Sequence, residues 1–97
     1  MIVGFADSAT EDIFHGRDTK PALKKLGKAL HGLARRKLDM IDAAHIVSDL
    51  RVPPGNRLEQ LKGNLAGKWS IRINDQYRVV FKFDQGSASA VEITDYH

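Results

Sequence analysis

Trp69-Ser70-Ile71-Arg72-Ile73-Asn74-Asp75-Gln76-Tyr77-Arg78-Val79-Val80-Phe81-Lys82-Phe83 is the stretch that decides how this chain folds. Two runs alternating between apolar and polar residues flank a polar triplet, the pattern of a β-hairpin with one buried face. Trp69, Ile71 and Ile73 must share that face with Val79, Phe81 and Phe83, and only a loop of odd length achieves this. A three-residue loop at Asn74 to Gln76 pairs Ile73 with Tyr77 and Arg72 with Arg78. A slip of one residue would turn Arg78 into the apolar face. Arg72 and Arg78 are therefore expected as cross-strand neighbours on the polar face.

Working outward, Ser89 to Thr94 reads as a strand joined to the hairpin around Gln85-Gly86-Ser87. Aligning Val91 and Ile93 with the apolar face sends Tyr96, of opposite parity, to the side of Arg78, and His97 away from it. Upstream, Arg57 to Leu61 reads as a strand before a turn at Gly63 to Gly67, and Val52-Pro53-Pro54-Gly55-Asn56 punctuates the chain ahead of it. Ile2 to Phe5 is a strand-like apolar run. Ser8-x-x-Glu11 then forms a capping box that opens a brief helix to about His15, which Gly16 stops. Thr19 caps a second helix with Pro21 in its first turn, and Leu23, Leu26, Leu30, Leu33 and Ile41 give it a long amphipathic stripe. Gly27 and Gly32 cost that helix roughly 1 kcal/mol each relative to Ala, so packing must hold it, and both are expected to permit close approach of another element. Ala44 to Leu50 has room for a further helical turn or two. The element order is β-α-α-β-β-β-β, an α+β chain in one domain over residues 1–97.

Composition narrows the function. A chain of 97 residues supports one small core. With no cysteine, disulfides and thiolate metal sites are excluded, and a reducing cytoplasm is the expected setting. No apolar run is long enough to span a bilayer and no signal peptide is evident, so a soluble, unprocessed chain is expected. The net charge of +3 is unevenly distributed: Thr19 to Leu38 carries seven Lys or Arg and no acid, whereas Asp7, Glu11, Asp12 and Asp18 precede it. Lys24, Lys28, Arg35 and Arg36 are candidates for contact with a polyanion, against the alternative of a solvated helix face.

Two like charges opposite each other on a sheet repel unless an anion lies between them. For Arg72 and Arg78 that anion is either Glu92 on the neighbouring strand or a phosphate, whose oxygens match the guanidinium fork. Lys62, at the end of the first sheet strand, and Lys82, on the Arg78 face, extend the cationic set. With Glu59, Asp95, Tyr96 and His97 nearby, the inventory meets the needs of RNA cleavage by the substrate's own 2'-hydroxyl. That reaction requires a base, positive charge for the phosphorane and a proton for the leaving 5'-oxygen, and only RNA supplies the nucleophile. His15, His31, His45 and His97 lack the spacing of a zinc site, Gly63-x-x-x-Gly67 lacks the Lys-Ser/Thr of a phosphate loop, and no Gly-x-Ser-x-Gly elbow occurs. Neither a metal nor a cofactor is expected.

The segments Arg57-Leu58-Glu59-Gln60-Leu61-Lys62-Gly63, Lys68-Trp69-Ser70-Ile71-Arg72-Ile73, Tyr77-Arg78-Val79-Val80-Phe81 and Asp95-Tyr96-His97 arrive in the order and spacing of a known family. The chain resembles HigB toxins of the RelE superfamily from its opening strand to its last residue. The resemblance implies a small mixed sheet, mostly antiparallel, with two helices on one face. It also implies a bacterial type II toxin that cleaves messenger RNA on the ribosome and is held inactive by a HigA-like antitoxin with a helix-turn-helix domain, operator DNA being met only through that antitoxin. Lys62, Arg78, Asp95, Tyr96 and His97 match the family's active-site positions, while Arg72 follows from the pairing argument. Several HigB relatives carry a histidine where this chain has Glu59; a carboxylate lacks the near-neutral proton exchange of an imidazole and serves only as base or orienter. His97, Asp95 and Glu59 are the candidates for the base. The rival reading is a non-enzymatic RNA- or ribosome-binding inhibitor that acts as co-repressor with its antitoxin.

Overall fold

The computed structural model describes residues 1–96. Strands β2 (Trp69–Arg72) and β3 (Tyr77–Asp84) pair antiparallel with Ile71 opposite Val79 and Arg72 opposite Arg78. The Ile73 amide bonds the Tyr77 carbonyl at 2.9 Å across the expected loop. Within the loop, Asn74 Oδ1 accepts from the amides of Gln76 at 2.9 Å and Tyr77 at 2.8 Å, satisfying donors that a turn otherwise leaves to water.

Strand β1 (Glu59–Gln60) lies against β2, and β4 (Ser87–Asp95) against β3, giving an antiparallel sheet in the order β1-β2-β3-β4. The N-terminal run adds isolated parallel bridges, Ile2 to Ala88 and Phe5 to Val91, so the sheet is mixed. Strand β1 is shorter than its apolar pattern suggests because left-handed kinks bracket it, at Arg57 (φ 46°) before and at Gly63 (φ 67°) after.

The last hairpin differs from expectation in an instructive way. Its loop is two residues, Gln85 and Gly86, both at positive φ, which suits the twist of the flanking strands. An even loop alone would turn Val91 and Ile93 to the polar face. A bulge in β4 opposite Val80 to Lys82, where Ala90 takes φ 50°, adds one residue and returns them to the core. Ala88, Val91 and Ile93 are consequently all fully buried.

The helices show three corrections. In α1 (Ser8–Phe14) the cap is Asp7, not Ser8: Asp7 is extended and its Oδ1 accepts from the Thr10 amide at 2.6 Å, while Ser8 is already helical. The single long helix expected from Thr19 onward is two, α2 (Lys20–Lys25), capped by Thr19 as expected, and α3 (His31–Ala43). Leu26 between them is extended, and a 3-10 turn at Lys28–Leu30 follows Gly27. The buried ring of His31 holds the break, its Nε2 lying 2.7 Å from the Leu26 carbonyl. The kink plugs Leu26 into the core and leaves Leu23 exposed, while α3 turns Ala34, Leu38 and Ile41 inward. A Cβ added at Gly27 or Gly32 would meet nothing within 4 Å, so neither glycine serves a close approach; Gly27 weakens the helix where it breaks.

Helices α1 and α3 pack on the apolar face of the sheet, and α2 packs against α1. Ile13, Ala22, Leu26, Leu38 and Ile41 pack with Ile71, Val79, Phe81, Val91 and Ile93 in one cluster, each fully buried large side chain contributing about 1.5–3 kcal/mol. The other face is left for polar chemistry.

Asp12 ties α1 to the start of α2, accepting from Thr19 Oγ1 at 2.7 Å and from Arg17 Nη1 at 3.1 Å. The Thr19 hydrogen bond first, and then that of Arg17, hold its carboxyl below the ordinary aspartate value of 3.8. A depressed carboxyl stabilises the fold above its unfolded pKa and loses that contribution as pH falls through the folded value. Thermal melts across pH are therefore expected to fall on acidification below 3.8, and Asp12→Asn is expected to flatten that acid limb.

Candidate active site

Because directly paired residues share a face, the register lays out the polar side of the sheet in rows. One row runs Glu59, Ser70, Val80, Glu92; the next runs Arg72, Arg78, Thr94. Beyond these the Tyr96 amide bonds the Gln76 carbonyl at 2.8 Å, continuing β4 past Arg78. Tyr96 lies on the side of Arg78 that its parity dictates, its ring centroid 5.6 Å from the guanidinium carbon, within cation–π range.

Arg78 is the most constrained member, with 8% of its surface exposed. Burying a guanidinium is tolerable only when its donors are taken. Nε donates to Ser70 Oγ at 2.9 Å, and Nη2 donates to the carbonyls of Ser70, at 3.4 Å, and Arg57, at 2.5 Å. Nη1 faces the half-exposed carboxylate of Glu59 at 3.7 Å. Arg72 is held by Asp75, its neighbour in the hairpin loop. The repulsion between the paired arginines is thus relieved by Glu59 and Asp75 and not by Glu92, which faces Lys25 at 3.9 Å. Glu92 is drawn away because α2 brings Lys25 to the edge of β4, where Asp7 also meets it at 3.4 Å.

These groups surround a cleft of about 270 Å³ whose walls are Arg57, Glu59, Arg72 and Arg78 together with Asn74, Asp75 and Tyr96. The paired guanidinium groups of Arg72 and Arg78, the carboxylates of Glu59 and Asp75 and a phenol against a cation suit a bound phosphate flanked by a base or sugar.

Other expected residues stand elsewhere. Lys62 is exposed after β1 and forms no part of the cleft wall, and Lys82 pairs with Ser89, four residues along β3 from Arg78. Asp95 pairs with Tyr77 and accepts from Gln76 Nε2 at 3.0 Å, outside the cleft wall. His97 lies outside the described residues. On the helices, Lys28 is clamped to Asp18 at 2.6 Å, and Arg35 donates to the Ile13 carbonyl at 3.0 Å. Lys24 and Arg36 are exposed. The basic run is therefore partly neutralised by acids that precede it in sequence. Arg57, Ser70, Asn74 and Asp75 were not singled out by the sequence reading; the cross-strand row that places Ser70 beside Glu59 is a signal that register alone could have supplied.

The same fold occurs in solved structures of the YoeB-YefM complex from Staphylococcus aureus, one chain of which superposes with a TM-score of 0.61 over 100% of this chain and 95% of its own length, at 24% identity. The chain belongs to the family of RelE-like toxins of the type II toxin-antitoxin system HigB, whose model matches residues 4–97. It is 58% identical over 88 residues to toxin HigB-1 of Vibrio cholerae, covering 91% of this chain and 90% of that one. It is 34% identical over 61 residues to endoribonuclease HigB of Proteus vulgaris, covering 63% of this chain and 65% of that one.

The bonds of Arg78 make a specific stability prediction. Arg78→Lys keeps a charge but cannot serve Ser70 Oγ and two carbonyls together, so unfolding in urea is expected to show a loss of about 1–3 kcal/mol.

Proposed function

We propose that this chain is the toxin of a type II toxin-antitoxin pair and an endoribonuclease that cuts messenger RNA at the cleft between Arg72, Arg78 and Glu59. The observation that carries the reading is the convergence of two paired arginines, a carboxylate and a phenol on the sheet face opposite the core, in a chain of the HigB family. The 2'-oxygen attacks the adjacent phosphorus and the bond to the 5'-oxygen breaks, leaving a 2',3'-cyclic phosphate and a 5'-hydroxyl. Arg78 and Arg72 neutralise the negative charge that grows on the phosphorane oxygens. Glu59, facing Arg78 at the open side of the cleft, takes the proton of the 2'-hydroxyl. Tyr96 stacks on a base or fixes the phosphate, and the departing 5'-oxygen takes its proton from solvent. Asp95 holds the strand end through Gln76. No step uses a metal.

The substrate strand is presented by the ribosome in the cytoplasm, with Lys62, Lys82, Lys24 and Arg36 meeting ribosomal RNA and Lys28 and Arg35 reinforcing that surface. Such contacts weaken steeply as salt rises. A HigA-like helix-turn-helix antitoxin holds the toxin inactive and carries the pair to operator DNA. Among the described residues no helix is long and apolar enough to cross a membrane.

The test is cleavage of messenger RNA on programmed ribosomes, with the ends of the fragments identified chemically. Wild type is expected to leave 2',3'-cyclic phosphate ends, and Glu59→Gln to cut at least about 100-fold more slowly. Fragments ending in a 3'-hydroxyl would contradict the 2'-hydroxyl route. Growth arrest without any cutting would favour a non-enzymatic inhibitor.

A further inference from the structure

Asn56 has no exposed surface, although its side chain is an amide. Both ends of that amide are engaged. Oδ1 accepts from Lys37 Nζ at 2.6 Å, and Nδ2 donates to the Leu50 carbonyl at 3.2 Å and lies 3.6 Å from Met40 Sδ. Lys37 and Met40 belong to α3, the helix whose other side packs in the core. The backbone is fixed as well, the Asn56 amide bonding the Pro53 carbonyl at 2.9 Å and the Arg57 amide the Pro54 carbonyl at 3.1 Å. A buried polar group so fully satisfied holds one local conformation against its alternatives.

What this anchor holds is the residue that follows. Arg57 sits in the left-handed region at φ 46° and ψ 57°, a conformation that a residue with a Cβ rarely adopts unaided. In it, the Arg57 carbonyl accepts from Arg78 Nη2. Ser70 binds the same guanidinium through its hydroxyl and carbonyl, and Nη1 is left facing Glu59 at the cleft. Two hydrogen bonds and the backbone between them thus join α3 to the guanidinium: Lys37 to the Asn56 side chain, then along the chain from Asn56 to the Arg57 carbonyl, and on to Arg78. Burial and the nearby charges of Arg72 and Arg36 hold the Lys37 pKa below its ordinary value, as expected for an ammonium tucked against this turn.

We propose that Asn56 is a positioning residue for Arg78, fixing the left-handed turn at Arg57 so that the Arg57 carbonyl aims the guanidinium into the cleft, with Lys37 as the residue that clamps Asn56 to α3. The aim of Arg78 is then set by the helical layer and not by the sheet alone. Loss of the clamp loosens the guanidinium without removing any group that touches RNA. The inference concerns the same cleft as the proposed ribonuclease and rests on that reading only for its kinetic readout.

The experiment uses the full chain labelled with nitrogen-15 and follows the Nε–H resonance of Arg78, assigned by its loss in Arg78→Lys. In wild type this proton is expected to exchange slowly, because it is buried against Ser70 Oγ. In Asn56→Ala and in Lys37→Met it is expected to shift and exchange faster. On programmed ribosomes kcat is expected to fall about 10- to 100-fold in Asn56→Ala and less in Lys37→Met, with KM within about two-fold of wild type, the split that misplacement of a catalytic group produces. Should Asn56→Ala fail to fold, Lys37→Met decides by the same measurements. An unchanged Arg78 resonance together with unchanged kcat in the folded variants overturns the proposal. If wild type cuts no RNA, the ribonuclease reading fails by itself, and the resonance still decides the role of Asn56.

Discussion

A guanidinium taken out of water must have its donors bound, and the hydrogen bonds of Arg78 are the constraint on which the rest of the polar face depends. Its partners come from three parts of the chain: the turn at Arg57, strand β1 at Glu59 and strand β2 at Ser70. Each must arrive in register for the charge to be tolerated. Ser70 lies beside Arg78 because the loop at Asn74 has an odd length, and Glu59 lies in the row of Ser70 because β1 pairs with β2. Tyr96 reaches the guanidinium because the bulge at Ala90 corrects the parity of β4. The buried apolar face imposes the same register independently, since Ile71, Val79, Phe81, Val91 and Ile93 reach the core in no other alignment. Core and cleft are thus two faces of one pairing pattern.

That coupling explains which parts of the molecule were legible in sequence. Alternation over Trp69 to Phe83 dictates the hairpin, and with it the facing of Arg72 and Arg78, because a slip of one residue would bury an arginine among isoleucines. The bulge was hidden. Alanine at position 90 is no mark of positive φ, and a loop shorter by one residue together with a bulge that adds one leaves Tyr96 on the side that plain alternation indicates. The helix break was also hidden, because leucines at helical spacing run through Gly27 without interruption while the buried contact from His31 to the Leu26 carbonyl depends on tertiary packing. The cap at Asp7 was missed because Ser8-x-x-Glu11 offered a competing pattern one residue later.

Charge was the least legible property of the site. Read along the chain, Lys20 to Lys37 forms a basic block, but folding brings Asp18 to Lys28 and Asp7 and Glu92 to Lys25. In the cleft, by contrast, the lining carries three arginines, Arg57, Arg72 and Arg78, against the two carboxylates of Glu59 and Asp75. Its carboxylates allow the paired arginines to sit close, Glu59 facing Arg78 and Asp75 holding Arg72. Arg57, after Pro-Pro-Gly-Asn, reads as loop, and its importance lies in a backbone carbonyl that no side-chain pattern reveals.

The most direct test of this account is a structure of the chain bound to a short RNA whose 2'-hydroxyl is replaced by hydrogen at the cleavage site, so that the strand binds and cannot be cut. The account predicts the phosphate 3' to that sugar within hydrogen-bonding distance of Arg78 and Arg72, with the carboxylate of Glu59 turned toward the 2' position. A strand lying along the basic surface of α2 and α3, with the Arg72 and Arg78 cleft empty of phosphate, would contradict it.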